Sequence, residues 1–204
     1  MLEYYSQHPL YAVLLVALII VTAFVCVKAA KASARHSRET NKIMNKLKEE
    51  NKLRNDYAIL TNELISSADS VELFKGVAVN LQKRVADKTD MAAEFDSLTK
   101  GQKYIYSLYT FLEDSEKEMS NFFKMNTKPL TSTAKEAVGT IVGGEFAAAF
   151  NLEYNAYDED NEKVSVVPEE IEEANKKTAP FIANGTVANL AGEYIKNHPD
   201  EFLI

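Results

Sequence analysis

A single cysteine, Cys26, stands among 204 residues, so neither a disulfide framework nor a cysteine-based zinc site can form within one chain. Cys26 itself falls inside an apolar run, where it reads as a small membrane-buried hydrophobe. Glycine and proline are scarce, seven and five, and neither occurs between Pro9 and Gly76. A helix that enters at Pro9 therefore meets no sequence-encoded break over that stretch. The three histidines, His8, His36 and His198, share no spacing and offer no ligand set or catalytic dyad. A Gly-rich phosphate loop, a Gly-x-Ser-x-Gly elbow and a basic aromatic nucleic-acid module are all lacking. The expectation is a protein that is not an enzyme, needs no cofactor and binds no nucleic acid directly.

What the chain does have is an uncharged run from Leu10 to Val27, LYAVLLVALIIVTAFVCV. At the helical rise, eighteen residues cover about 27 Å, close to the roughly 30 Å of a bilayer's hydrocarbon layer. Tyr4, Tyr5 and Tyr11 suit the headgroup boundary at its entry, and Pro9 suits a first helical turn. Lys28, Lys31, Arg35 and Arg38 come after the run and only Glu3 precedes it. Basic flanks stay cytoplasmic, so residues 1–9 are expected outside, residues 10–27 across a cytoplasmic membrane, and the remainder inside. A cleaved secretory signal is disfavoured by the uncharged start, although Ala32-Ser33-Ala34 imitates a cleavage site. Phe24-Val25 before Cys26 are too large for a lipoprotein anchor, and a soluble core helix seldom runs this long without a stronger polar residue than Thr22.

The net charge of −7 is unevenly spread. Residues 1–38 carry four basic against one acidic side chain, residues 39–125 thirteen against fifteen, and residues 126–204 six against fourteen. The last third is strongly acidic, which favours solubility or basic partners. Lys28, Lys31, Arg35, Arg38 and Lys42 recur at three and four residues and form one stripe beyond the bilayer. Residues 28–66 are read as a basic juxtamembrane segment and helical stalk, and residues 67–204 as a helical domain.

Leu53, Tyr57, Leu60, Leu64, Ser67, Val71, Phe74, Ala78, Leu81 and Val85 fall into heptad spacing. This seam over residues 53–85 serves either a homo-oligomeric coiled coil or packing against a later helix of the same chain. Asp69 with Glu72 reads as a capping box that restarts the helix after Ser66-Ser67. A further helix is expected after Asp90, strengthening past Gly101 through Ile105, Leu108, Leu112, Met119 and Phe122 and ending at Lys128-Pro129. Thr133 with Glu136 should open the next helix, running through Phe146 and Phe150 towards Tyr154, with a tight turn at Gly143-Gly144. Pro168 suits a helix start, acids crowd the turns after it, and a last helix covers about Thr186 to Lys196 before His198-Pro199. Only Val164 to Val167 looks extended, so the fold class is all-α: an N-terminal transmembrane helix, a stalk and a C-terminal multi-helix domain.

Three stretches, GQKYIYSLYTFLEDSEKEMSNFFKMN, PLTSTAKEAVGTIVGGEFAAAF and GEYIKNHPDEFL, resemble a small family of acidic helical domains named after a bacterial DNA-mimic protein. The resemblance covers residues 95–202, about half the chain. The family's Gly-Gly turn before the aromatic helix is replaced here by Ser115-Glu116-Lys117-Glu118, whereas Met119, Asn121, Phe122, Phe123 and Asn126 fit the aromatic helix itself. The resemblance implies a helical fold and, as one function, an acidic decoy for a basic DNA-binding protein.

Asp158, Asp160, Glu162 and Glu169 take positions 1, 3, 5 and 12 of an EF-hand-like calcium loop. Lys163 stands where the loop needs glycine and would repel the cation, so a solvated acidic loop is the favoured reading. Asn184-Gly185-Thr186 matches a glycosylation sequon that the expected topology keeps in the cytoplasm. The function expected overall is binding: a membrane-anchored acidic domain that tethers a protein partner, with Glu169, Glu170, Glu172 and Glu173 as the candidate contact patch. The acidic decoy is the alternative, and an unrecognised enzyme or calcium-dependent switch is the third.

Overall fold

The computed structural model describes residues 22, 24, 28, 33, 37, 40–116, 118–157 and 168–203. Contacts divide the chain into two units, Met1–Glu49 and Glu50–Ile204. In the first, residues 40–49 are helical and exposed, including the apolar Ile43, Met44 and Leu47. Among the described residues no helix is long and apolar enough to cross a membrane. The run at residues 10–27 lies outside them apart from Thr22 and Phe24.

The second unit begins earlier than the domain start expected at residue 67. Helical residues 50–56 form α1, whose Leu53 is buried, as is Tyr57 just beyond. Asn80 closes the end of α1 by donating its amide to the carbonyls of Arg54 and Tyr57, each at 3.2 Å, and to Gly76 at 2.9 Å. Short polar side chains start the next helices by accepting otherwise unpaired amides. Thr61 caps α2 (Asn62–Ser67), Asp69 caps α3 (Ser70–Ala86) and Asp90 caps α4 (Met91–Ser97). Thr99 and Gln102 form a reciprocal capping box for α5 (Lys100–Asp114).

The stalk helix read through residue 66 breaks over residues 57–61, and the helix read from Asp90 onward breaks between α4 and α5. Two later boundaries also differ from those expected. The helix read as continuous from Gly101 past Phe122 stops at Asp114, and a separate α6 spans Ser120–Met125. Asn126 fixes the two pieces together: its amide donates to Asp114 at 2.7 Å and to the Phe122 carbonyl at 2.9 Å. Thr133 does not open a helix, because α7 (Leu130–Ala137) starts a turn earlier behind a cis Lys128–Pro129 bond. The Thr133 hydroxyl instead donates back to the Pro129 carbonyl at 2.9 Å, a bond made inside a helix. A π-helical turn, Val138–Val142, leads into Gly143 and Gly144, whose φ values of 69° and 56° make the expected tight turn. Then come α8 (Gly144–Asn155), α9 (Pro168–Ala183), α10 (Thr186–Asn197) and a 3-10 turn, Pro199–Glu201. The described residues are thus all-helical, with no strand element.

α10 packs on α3, α7 on α5 and α9 on α8. Phe111 of α5 is fully buried and meets Phe122, Phe146 and Phe150 edge-on at 5.4, 6.0 and 5.1 Å between centroids, a favoured aromatic geometry. Leu53, Tyr57, Phe74, Ala78, Leu81 and Val85 of the heptad seam all join this core. These residues of the seam pack within their own chain.

Candidate functional site

The end of α5, the segment after it and α9 enclose a half-open cavity of about 320 Å³. Leu112, Met119 and Ile182 give it apolar walls, Ser115 and Asn175 also line it, and the exposed Glu116 and Glu118 stand at its mouth. The backbone places these residues simply. α5 ends at Asp114, so Ser115 turns inward at the C-cap, and the Met119 amide donates to the Asn175 side-chain oxygen at 3.0 Å. That bond ties the segment to α9.

Behind Asn175 lies Glu153, the one charged residue fully buried among those described. Phe146, Ala149, Phe150 and Glu153 share one face of α8 at helical spacing, so the helix carries the carboxyl into the core. Neither carboxyl oxygen has a well-formed hydrogen bond to a described residue, and the Ser115 hydroxyl is likewise buried and unpartnered. Burial pushes the Glu153 carboxyl up to about 7. Ser120, Lys124 and Asn175 oppose the rise without cancelling it, and Glu118 adds to it. A buried carboxyl that titrates near neutrality can exchange a proton or compensate a cation.

Two other polar groupings are internally paired. A second cavity, about 290 Å³, lies against Tyr57, Asn80, Arg84 and Gln102. There Asn80 serves three carbonyls, Gln102 belongs to the capping box and Arg84 is paired with Glu94 at 2.6 Å. Ser70 donates to Glu193 and accepts from Lys196 at 2.9 Å, so this serine ties α3 to α10 and is no free nucleophile.

The residues expected from sequence do not converge on the cavity. Glu169, Glu170, Glu172 and Glu173 are exposed on α9, and Glu172 and Glu173 pair with Lys176 at 2.6 Å and Lys177 at 2.8 Å. Each lysine holds its partner carboxyl below the usual range. Asp158, Asp160 and Glu162 lie outside the described residues, as do Lys31, Arg35 and Arg38. Among the described residues no group of three potential ligands could hold a metal. Lys28 stands over the Phe24 ring at 4.8 Å. His198 stacks on Tyr194 with centroids 4.2 Å apart. Sequence reasoning passed over Glu153, although its place four residues after Ala149 and seven after Phe146 puts it on the apolar stripe. No protein-family model, no curated protein and no solved structure matches the chain.

Proposed function

We propose that this chain is a single-pass membrane protein, N-terminus outside, whose helical unit from residue 50 onward tethers a protein partner at the cytoplasmic face. One observation carries the reading. The unit from residue 50 onward has its own core, drawn among the described residues from Leu53 to Phe202, and the apolar run at residues 10–27 is long enough to span a bilayer and is trailed by Lys28, Lys31, Arg35 and Arg38. Attachment there would confine the unit to the membrane surface and raise its effective concentration towards a partner on that surface, so even a weak contact suffices.

Fractionation and affinity capture test both halves. The full chain is expected to resist alkaline extraction from membranes, whereas a version starting at Glu39 is released. Retention of the shorter version removes the anchor. Both versions are expected to recover the same partner from solubilised membranes, and failure of both removes the tether. The acidic decoy gives a different result: recovery of a nucleic-acid-binding protein that salt releases and that the Glu169, Glu170, Glu172 and Glu173 to glutamine variant no longer holds. The Lys176 and Lys177 pairings, which compensate half of that patch, weigh against it.

A further inference from the structure

We infer that the cavity between the residues following α1, the second half of α3 and the start of α5 receives a small neutral ligand that leads with a primary carboxamide on a short apolar stem. This site is separate from the Glu153 cluster, and its ligand is independent of the tethering reading.

Two side-chain amides line this cavity, Asn80 and Gln102, and each is used from one end only. The Asn80 nitrogen donates to the carbonyls of Arg54, Tyr57 and Gly76, which fixes the orientation of that amide and leaves its oxygen over. The Gln102 oxygen accepts the Thr99 amide at 3.2 Å in the capping box, which leaves its nitrogen over. Neither leftover atom bonds to a described residue, and neither is among the sealed, unpaired polar atoms of the core, so both remain within reach of water. For Gln102, only 2% exposed, that reach is through the cavity it lines.

The cavity thus offers one acceptor and one donor group within apolar walls at Leu60, Val77, Leu81 and Phe202, the usual make-up of a small-molecule site. A carboxylate accepts only and would meet the Asn80 oxygen with a like partial charge, and an ammonium donates only and would meet the Gln102 nitrogen the same way. A carboxamide does both. Net charge is not asked of the ligand, because Arg84, the charged residue among the described ones on the wall, is paired with Glu94 at 2.6 Å. The depth of Gln102 requires the group that meets it to be small and terminal. The stem then lies outward against Leu60 and Ile59, and Ile59, now 78% exposed, would lose apolar surface to it.

Nitrogen-15 NMR of the full chain in detergent micelles at pH 7 tests the inference, with isovaleramide as probe and isovalerate and isopentylamine as controls of the same stem. Isovaleramide is expected to shift the side-chain NH2 signal of Gln102 saturably, and the two charged controls to bind at least about tenfold more weakly, as the loss of one buried hydrogen-bond partner implies. Gln102→Glu identifies that signal by removing it. Glutamate serves a capping box as glutamine does, so α5 keeps its start, but the donor is gone and isovaleramide binding, followed at neighbouring backbone amides, should fall about tenfold. Ala58→Trp, at an exposed position beside the cavity, should block binding while leaving the melting temperature in place. No saturable shift at Gln102, equal binding of the three probes, or binding undiminished by Ala58→Trp overturns the inference. Partner capture is expected to be unaffected by either result.

Discussion

Gly192 of α10 lies against the backbone carbonyl of Ser70 at the start of α3, so close that a β-carbon built on it would stand 1.9 Å from that oxygen. A backbone carbonyl cannot swing aside as a flexible side chain can. Gly192→Ala must push α10 away from α3 and disturb the Ser70–Glu193–Lys196 tie beside it. We expect a loss of about 3 kcal/mol, read as a lower urea midpoint. Gly139→Ala is the control, because nothing lies within 4 Å of its β-carbon position. It should be neutral or stabilise by up to about 1 kcal/mol. Equal effects from the two substitutions would remove the close approach as the cause.

Glu153 makes stability depend on pH with a defined sign. Its folded value of about 7 stands above the ordinary 4.5, so between these values the native state holds a proton that the unfolded chain has lost. The contribution is fully present below pH 4.5 and is lost as pH rises through 7, a swing of about 3 kcal/mol. Denaturant melts of wild type and Glu153→Gln from pH 5 to pH 8 check it. The difference between the two proteins should change in the variant's favour as pH rises, and a pH-independent difference would refute the account.

Phe111 touches three other phenylalanines edge-on within the buried core. Phe111→Ala should cost about 3–5 kcal/mol, and Phe111→Leu distinctly less because it leaves a smaller void. Thermal unfolding followed by circular dichroism ranks them. A reversed order would indicate that ring shape is not what holds α5 against α6 and α8.

The orientation of the chain has a probe of its own. Asn184 and Thr186 of the sequon are linked, the threonine hydroxyl donating to the Asn184 side-chain oxygen at 2.6 Å, and Asn184 is exposed. Translation of the full chain with microsomes should leave Asn184 without a glycan, because the proposed topology keeps it on the cytosolic side. Fusion of a cleavable secretory signal to residue 39 should add one. A glycan on the full chain overturns the proposed orientation.

Helix starts were legible where a short polar side chain precedes an apolar stripe: Asp69 and Asp90 do cap α3 and α4, and Pro168 does begin α9. The break after Asp114 was not, since Ser115-Glu116-Lys117-Glu118 contains neither glycine nor proline and the turn is held by Asn126 from twelve residues away. Thr133 misled because a hydroxyl that bonds backward inside a helix has the same sequence pattern as one that bonds forward at a cap. The candidate site was hidden for a related reason. Glutamate ordinarily marks an exposed helix face, and only the phase of Phe146, Ala149 and Phe150 places Glu153 inside. Its neighbours Ser120 and Asn175 come from separate helices, and no local spacing relates them.

The hydroxyl of Thr99, which helps to start α5, also donates to the carbonyl of Glu201 at 3.0 Å, and the Glu201 carboxylate accepts from the Gly101 amide. The entrance to the central helix is thus finished by residues synthesised about a hundred positions later. Until Glu201 has been made, the amide of Gly101 in the first turn of α5 faces water, whereas Gln102 is capped locally by Thr99. Such long-range closure slows folding. The entrance to the central helix is therefore completed only when almost the whole unit has been made.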